Sequence, residues 1–194
     1  MTKLQKLVWL AISVILAVGI LLLAHNTTTM DPLETYSQEL TLTSSAFTHG
    51  AKIPAKYTCD GENVSPPLSI AHVPAGTKSF TLIVDDPDIP DSVKQSMGVE
   101  VFDHWVYFNI PADVTEIVEG AAPVGVSGAG TRGEKQYLGP CPPDRAHRYY
   151  FKLYALDTDL AIPEGSTKVV VEAAMAGHIL GHTELVGIYE RLNH

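Results

Sequence analysis

Basic residues are scarce in this 194-residue chain: 13 Lys and Arg stand against 22 Asp and Glu, for a formal net charge of −9. No run of Lys or Arg concentrates the positive charge that is present. A nucleic-acid surface needs a basic face, so nucleic acid is excluded as a partner. Charged residues make up only 18% of the chain and apolar ones 45%, the balance of one well-cored domain plus one hydrophobic segment. Internal repeats and low-complexity tracts are missing as well, which excludes solenoid and repeat-array architectures. Cysteine is nearly absent. Cys59 and Cys141 leave two readings open: a disulfide in an oxidising compartment, or two small buried or pocket-side thiols.

What the chain does have, at its start, is a run of 18 uncharged residues from Leu7 to Ala24, preceded by Lys3 and Lys6. As a helix it spans roughly 27 Å, close to a hydrocarbon core. It is longer than a usual signal-peptide core, and Leu22 and Ala24 make a poor cleavage site. A signal anchor over 1–24 is therefore favoured over a cleaved signal peptide. The early lysines lie before the run and the next basic residue is Lys52, so the positive-inside bias puts the body outside the cytoplasm. If the segment is cleaved, the body is exported. Residues 25–35 read as a polar, Thr-rich tether and 36–194 as the folded domain.

The body is patterned for strands. Glu39 to Thr43 alternates in polarity, while Ser79–Val84 and His104–Ile110 are rich in β-branched and aromatic residues. Arg148–Leu156 is apolar on nearly both faces, the mark of a central strand. One helix is expected from Ser166 or Thr167, with Val169, Ala173, Ala176 and Leu180 on one face and Gly181 as its stop. Leu185–Tyr189 reads as a last strand. The fold class is mainly β: a two-sheet antiparallel β-sandwich with a C-terminal helix, preceded by the N-terminal membrane-spanning or signal helix. Residues 119–148 break the pattern with repeated Gly and Pro, and a stretch of this kind inside a domain is often functional.

Two segments hold most of the chemistry. Asp86-Pro87-Asp88-Ile89-Pro90 follows a strand, with prolines fixing where the two carboxylates point. His104-Trp105 opens the next strand, and Gly139-Pro140-Cys141-Pro142-Pro143 leads into His147-Arg148-Tyr149. Each residue alone has a bland reading, an Asx-type turn or a satisfied core histidine. Together they lie at strand termini, where loops build sites. Two imidazoles held charged by carboxylates, backbone N–H groups of the Gly loop and a tyrosine hydroxyl would make a compact anion hole for a phosphate monoester, sulfate or carboxylate. Arg148 is unconvincing as a ligand group, because its neighbours alternate into a sheet.

The Asp-Pro-Asp-Ile-Pro turn, the His-Trp pair and the Gly-Pro-Cys-Pro-Pro loop followed by His-Arg-Tyr resemble the signatures of the phosphatidylethanolamine-binding protein family. Tyr57 to Leu68, Ala176 to Leu180 and Glu184 to Arg191 resemble its bacterial and archaeal, Raf kinase inhibitor-like branch. The resemblance implies a ligand cavity at one end of the sandwich, formed by Asp86, Asp88, His104, Gly139, Pro142, His147 and Tyr149. It implies binding of a phosphate-type or phospholipid head-group ligand without catalysis or cofactor, and regulation of a protein target such as a protease or kinase. The chain departs from the family pattern at Ile89, where Ala is common, and in having only Asp144-Arg145-Ala146 between Pro143 and His147. Both departures narrow the expected cavity and count against lipid-sized ligands.

Two other chemistries compete. Cys141, His147 and Asp86 could act as a thiol hydrolase, although Cys141 sits between prolines with nothing evident to activate it. A zinc site could use His104, His147 and Asp86, or His178 and His182 four residues apart, although Gly181 separates the last two.

Overall fold

The computed structural model describes residues 39–191. The expected membrane segment, 1–24, and the tether, 25–35, lie outside the described residues. Among those described, no helix is long and apolar enough to cross a membrane.

Two antiparallel sheets and two helices make up the body. The strands are β1 (Thr41–Thr43), β2 (Leu68–Ala71), β3 (Ser79–Asp86), β4 (Phe102–Pro111), β5 (Glu116–Ile117), β6 (Val126–Ser127), β7 (His147–Leu156) and β8 (Ile179–Tyr189). A small sheet runs β1-β2-β5 and a large one β6-β4-β3-β7-β8. In β2, Leu68 and Ile70 are buried while Ser69 and Ala71 are exposed, so only one face of the small sheet is covered. That face shares a core with the large sheet. Leu42, Leu68, Ile70 and Ile117 meet Phe80, Leu82, Val84, Trp105, Phe151 and Leu153.

The central strand is β3, every residue of which is buried. Its even-numbered side chains enter the inter-sheet core, and Ile83 joins Val106, Phe108, Val171 and Met175 on the opposite face. β7 is interior too, lying between β3 and β8, but only one of its faces is fully covered. Fully burying side chains of this kind stabilises by roughly 1.5–3 kcal/mol each before entropy is counted.

The helix of the opposite face, α2, differs from the sequence expectation. It spans Lys168–Met175, with Thr167 at the N-cap position but making no side-chain capping bond. It buries Val171 and Met175, four residues apart, and leaves Val169 74% exposed. The sheet selects which stripe is covered; the stripe through Val169, Ala173 and Ala176 faces outward. Gly177, at φ 83°, follows the helix. Leu180 and Gly181 then belong to β8, which pairs with β7 from Ile179 onward instead of beginning at Leu185. A buried ion cluster also joins α2 to the sheet. Lys168 Nζ lies 2.6 Å from Asp85 Oδ2 and 3.2 Å from Asp103 Oδ1, and Lys152 Nζ lies 2.8 Å from Asp85 Oδ2.

A second helix, α1 (Asp91–Met97), follows the Asp-Pro-Asp-Ile-Pro turn and had no periodic signal in the sequence. The Gly/Pro-rich stretch 119–148 is ordered by backbone bonds within itself, such as Gly130 N–H to Glu134 O at 2.8 Å, and to β4, such as Leu138 N–H to His104 O at 3.0 Å.

Candidate functional site

The large sheet ends in a cavity of about 290 Å³, bounded by the C-terminal end of β3, α1, the start of β4 and the loop before β7. Its wall includes Asp86, Ile89, Pro90, Val93, Phe102, His104, Arg132, Leu138, Gly139, Pro143, Tyr149 and both cysteines. Cys59 and Cys141 are joined in a disulfide with Cα atoms 5.4 Å apart. The bond ties the turn after the short 3₁₀ helix Ala55–Tyr57 to the Gly-Pro-Cys loop and leaves no free thiol at the site.

A β-bulge places His104. Along β3 and β4, Val84 pairs with Trp105 but Asp85 pairs with Asp103, so His104 is an extra residue in the ladder. Phe102 therefore stays on the cavity side opposite Asp86, while Asp103 reaches Lys168 on the other face. His104 packs between the rings of Phe102, at 4.8 Å, and Tyr149, at 5.2 Å. Its Nδ1 lies 2.7 Å from the Leu138 carbonyl oxygen. A carbonyl only accepts, so Nδ1 carries the proton and Nε2 is left with a lone pair. Burial pulls the ring's pKa down to about 4, against a smaller opposing pull from the Leu138 carbonyl. His104 is thus a neutral imidazole and an acceptor, not the cationic donor the sequence suggested. The carboxylate that would have held it charged is absent from its bonds.

His147, fully buried, has the carboxylates instead. Its Nδ1 lies 2.7 Å from Asp86 Oδ2 and its Nε2 2.8 Å from Asp144 Oδ1. A neutral ring can donate only once, so either the ring is protonated or one carboxyl holds the proton. Burial raises the Asp86 pKa, partly offset by the bond to His147. The remaining Asp86 oxygen accepts the Asp88 N–H at 2.8 Å, closing the turn. Asp86 faces the cavity, and His147 stands behind it as its support.

Three expected site residues offer nothing to a ligand in the cavity. Asp88 takes Arg148 in a two-pronged pair, Nε to Oδ2 and Nη2 to Oδ1 both at 2.7 Å, and this bond holds its pKa down at about 2. The pair lies off the cavity wall and uses the arginine that the sequence left without a role. Pro142 is buried behind Pro143 and does not line the space. Gly139 does, but its N–H donates to Asn63 Oδ1 at 2.7 Å and is closed to a ligand. A Cβ at Gly139 would sit 2.5 Å from that oxygen and 2.7 Å from Tyr57 O, which is why the loop needs glycine there.

Tyr149 is the group with capacity to spare. Its hydroxyl is buried and makes no hydrogen bond with any described residue. Burial raises its pKa, so it stays a neutral donor; the Cys141 backbone N–H offsets part of that shift but falls short of hydrogen-bond geometry. Arg132 was missed by sequence reading. It is exposed at the mouth, with its guanidinium carbon 5.4 Å from the centre of the Phe102 ring. Its loop is pinned where Arg132 N–H donates to Glu134 Oε2 at 3.0 Å and Asp103 N–H to Thr131 Oγ1 at 2.7 Å. The only signal for it was its place inside the Gly/Pro-rich stretch.

The rival constellations do not assemble. Among the described residues no group of three or more His, Cys, Asp or Glu side chains could hold a metal ion. His178 pairs with Asp157 at 2.8 Å, whereas His182 of β8 stacks on Tyr154 of β7.

Comparison with known proteins gives one answer throughout. The family model "Phosphatidylethanolamine-binding protein" matches residues 43–190. A UPF0098 protein of Chlamydia trachomatis is 49% identical over 150 residues, covering 77% of this chain and 98% of that protein. Another, from Methanothermobacter thermautotrophicus, is 46% identical over 158 residues, covering 78% and 99%. Among solved structures, a phosphatidylethanolamine-binding protein homologue from Chlamydia trachomatis matches with a TM-score of 0.76 at 47% identity, covering 80% of this chain and 99% of that one. Escherichia coli YbcL, described as a member of the mammalian family, matches with a TM-score of 0.70 at 31% identity, covering 79% and 99%. With three-quarters of its length matched in sequence and structure, the chain belongs to the phosphatidylethanolamine-binding protein family.

Proposed function

We propose that the cavity binds a small phosphate-type monoanion carrying an apolar group, without catalysing a reaction. The observation that carries this reading is the buried Tyr149 hydroxyl, without a hydrogen-bond partner among the described residues, in a cavity with Arg132 at its mouth. Tyr149 and Arg132 offer donors to anionic oxygens, and the His104 lone pair offers an acceptor to a ligand P–O–H. A singly protonated phosphate ester has both. Ile89, Pro90, Val93 and Phe102 favour an apolar substituent, and about 290 Å³ accommodates a head group or small ester but not lipid chains. The disulfide and the neutral, buried tyrosine leave no nucleophile among these groups, which supports binding over chemistry.

The disulfide also fits an oxidising compartment, so the site would work outside the cytoplasm. Regulation of an extracytoplasmic protease would then run through the loops framing the cavity. Calorimetry with phenyl phosphate tests the reading. Affinity is expected to fall between pH 5.5 and 8, a range that brackets the second phosphate pKa of about 6. Tyr149→Phe is expected to weaken binding roughly ten-fold, the worth of one hydrogen bond, without lowering thermal stability. Affinity that is flat with pH, or untouched by Tyr149→Phe, would refute it.

A further inference from the structure

A second cavity, of about 360 Å³, lies on the other side of the wall that carries His104 and Leu138, and shares no lining residue with the first. The wall is a short ladder. His104 Nδ1–H donates to Leu138 O, and Leu138 N–H donates back to His104 O. The next residues along each segment, Trp105 and Tyr137, line the second space. Trp105 is 2% exposed, and its indole Nε1–H is buried with no hydrogen-bond partner among the described residues. An indole N–H can only donate, so whatever satisfies it must be an acceptor.

No neighbouring side chain accepts it in this structure. Tyr137 meets Trp105 edge-on at 5.5 Å, and its hydroxyl proton goes to Tyr57 O at 2.9 Å. The Asn63 carbonyl oxygen is held by Gly139 N–H. At the rim stands Lys135, about half exposed, whose only ion pair among the described residues is with the similarly exposed Glu164 at 3.1 Å. A pair of that kind is screened and readily exchanged. A buried donor, a rim cation and the rings of Trp105, Tyr107 and Tyr137 complement a flat body that ends in a carboxylate.

From this juxtaposition we infer that the second cavity is a binding site for small organic carboxylates, with Trp105 donating to the carboxylate and Lys135 compensating its charge. The inference does not depend on the phosphate reading of the first cavity. Phenylacetate and 2-phenylethanol serve as probes, since they share a body and differ in the carboxylate. In the full chain with Trp9→Phe, Trp105 is the sole tryptophan, so its emission reports the site directly. Phenylacetate is expected to give a saturable change, with 2-phenylethanol roughly ten-fold weaker, and Lys135→Gln is expected to remove most of that difference. Because Lys135 is exposed, this variant keeps the fold. Trp105→Phe, followed by calorimetry, is expected to lower phenylacetate affinity about ten-fold. No saturable change below the order of 10 mM, equal affinity for the two probes, or displacement by phenyl phosphate would each overturn the proposal.

Discussion

The two sides of the first cavity differ in how much hydrogen-bonding capacity they have left. On the β3–β7 side the charges are mutually engaged: Asp86 with His147, His147 with Asp144, and Asp88 with Arg148. The other groups of the wall are open: the Tyr149 hydroxyl, from β7 as well, and the Arg132 guanidinium meet no hydrogen-bond partner among the described residues, and His104 of β4 keeps one nitrogen open. The engaged side holds shape; the open side has the capacity to hold a ligand. The sequence motifs concentrate on the engaged side, so motif strength and ligand contact are different things here.

Breaking the engaged side should give the largest effect. Asp86→Ala strips the fully buried His147 of a partner and should destabilise the fold by about 3–5 kcal/mol in urea unfolding. A loss under about 1 kcal/mol would mean that these charges are not structural. His104 sharpens the contrast, because an open group still contributes to stability through its charge state. Its folded pKa of about 4 lies below the 6.5 of a free ring, so the unfolded chain takes up the proton first as pH falls. Stability should be intact above pH 6.5 and decline toward pH 4, by up to about 3 kcal/mol. Comparing unfolding free energies of the parent and His104→Asn across that window isolates the contribution; identical slopes would contradict it. The smallest stability effect belongs to Arg132→Gln, within about 0.5 kcal/mol of the parent, because the side chain is exposed at the mouth. Its effect should appear in phenyl phosphate affinity, lowered roughly ten-fold and less so at high salt.

Much of the fold was legible because strand patterning is local. β3, β4 and β7 were visible from β-branched and aromatic residues, and the motif residues Asp86, His104, Gly139 and Tyr149 do meet at one cavity. What was not legible depends on partners distant in sequence. The bond from Asp88 to Arg148 spans 60 residues, and the proton on His104 is fixed by a carbonyl 34 residues away. The covered stripe of α2 is decided by Ile83, Val106 and Phe108, which the helix cannot announce in its own spacing. α1 has no buried residue at all, so there was no periodicity to find. Arg132 stood in a stretch whose composition marked a place without naming a side chain.

The bulge at His104 also determines what kind of mutation the site can survive. A strand alternates between two faces, and one inserted residue resets that count for everything before it. Were His104 drawn into a regular ladder it would pair with Asp85 and Asp103 with Asp86, turning Phe102 away from the cavity and bringing the Asp103 carboxylate in, while Lys168 lost one of its anions. Straightening the bulge would thus set a second carboxylate at the site, whereas a single-residue gap at 104 would keep Phe102 opposite Asp86 and remove only the imidazole. The irregularity of this strand is therefore part of the chemistry.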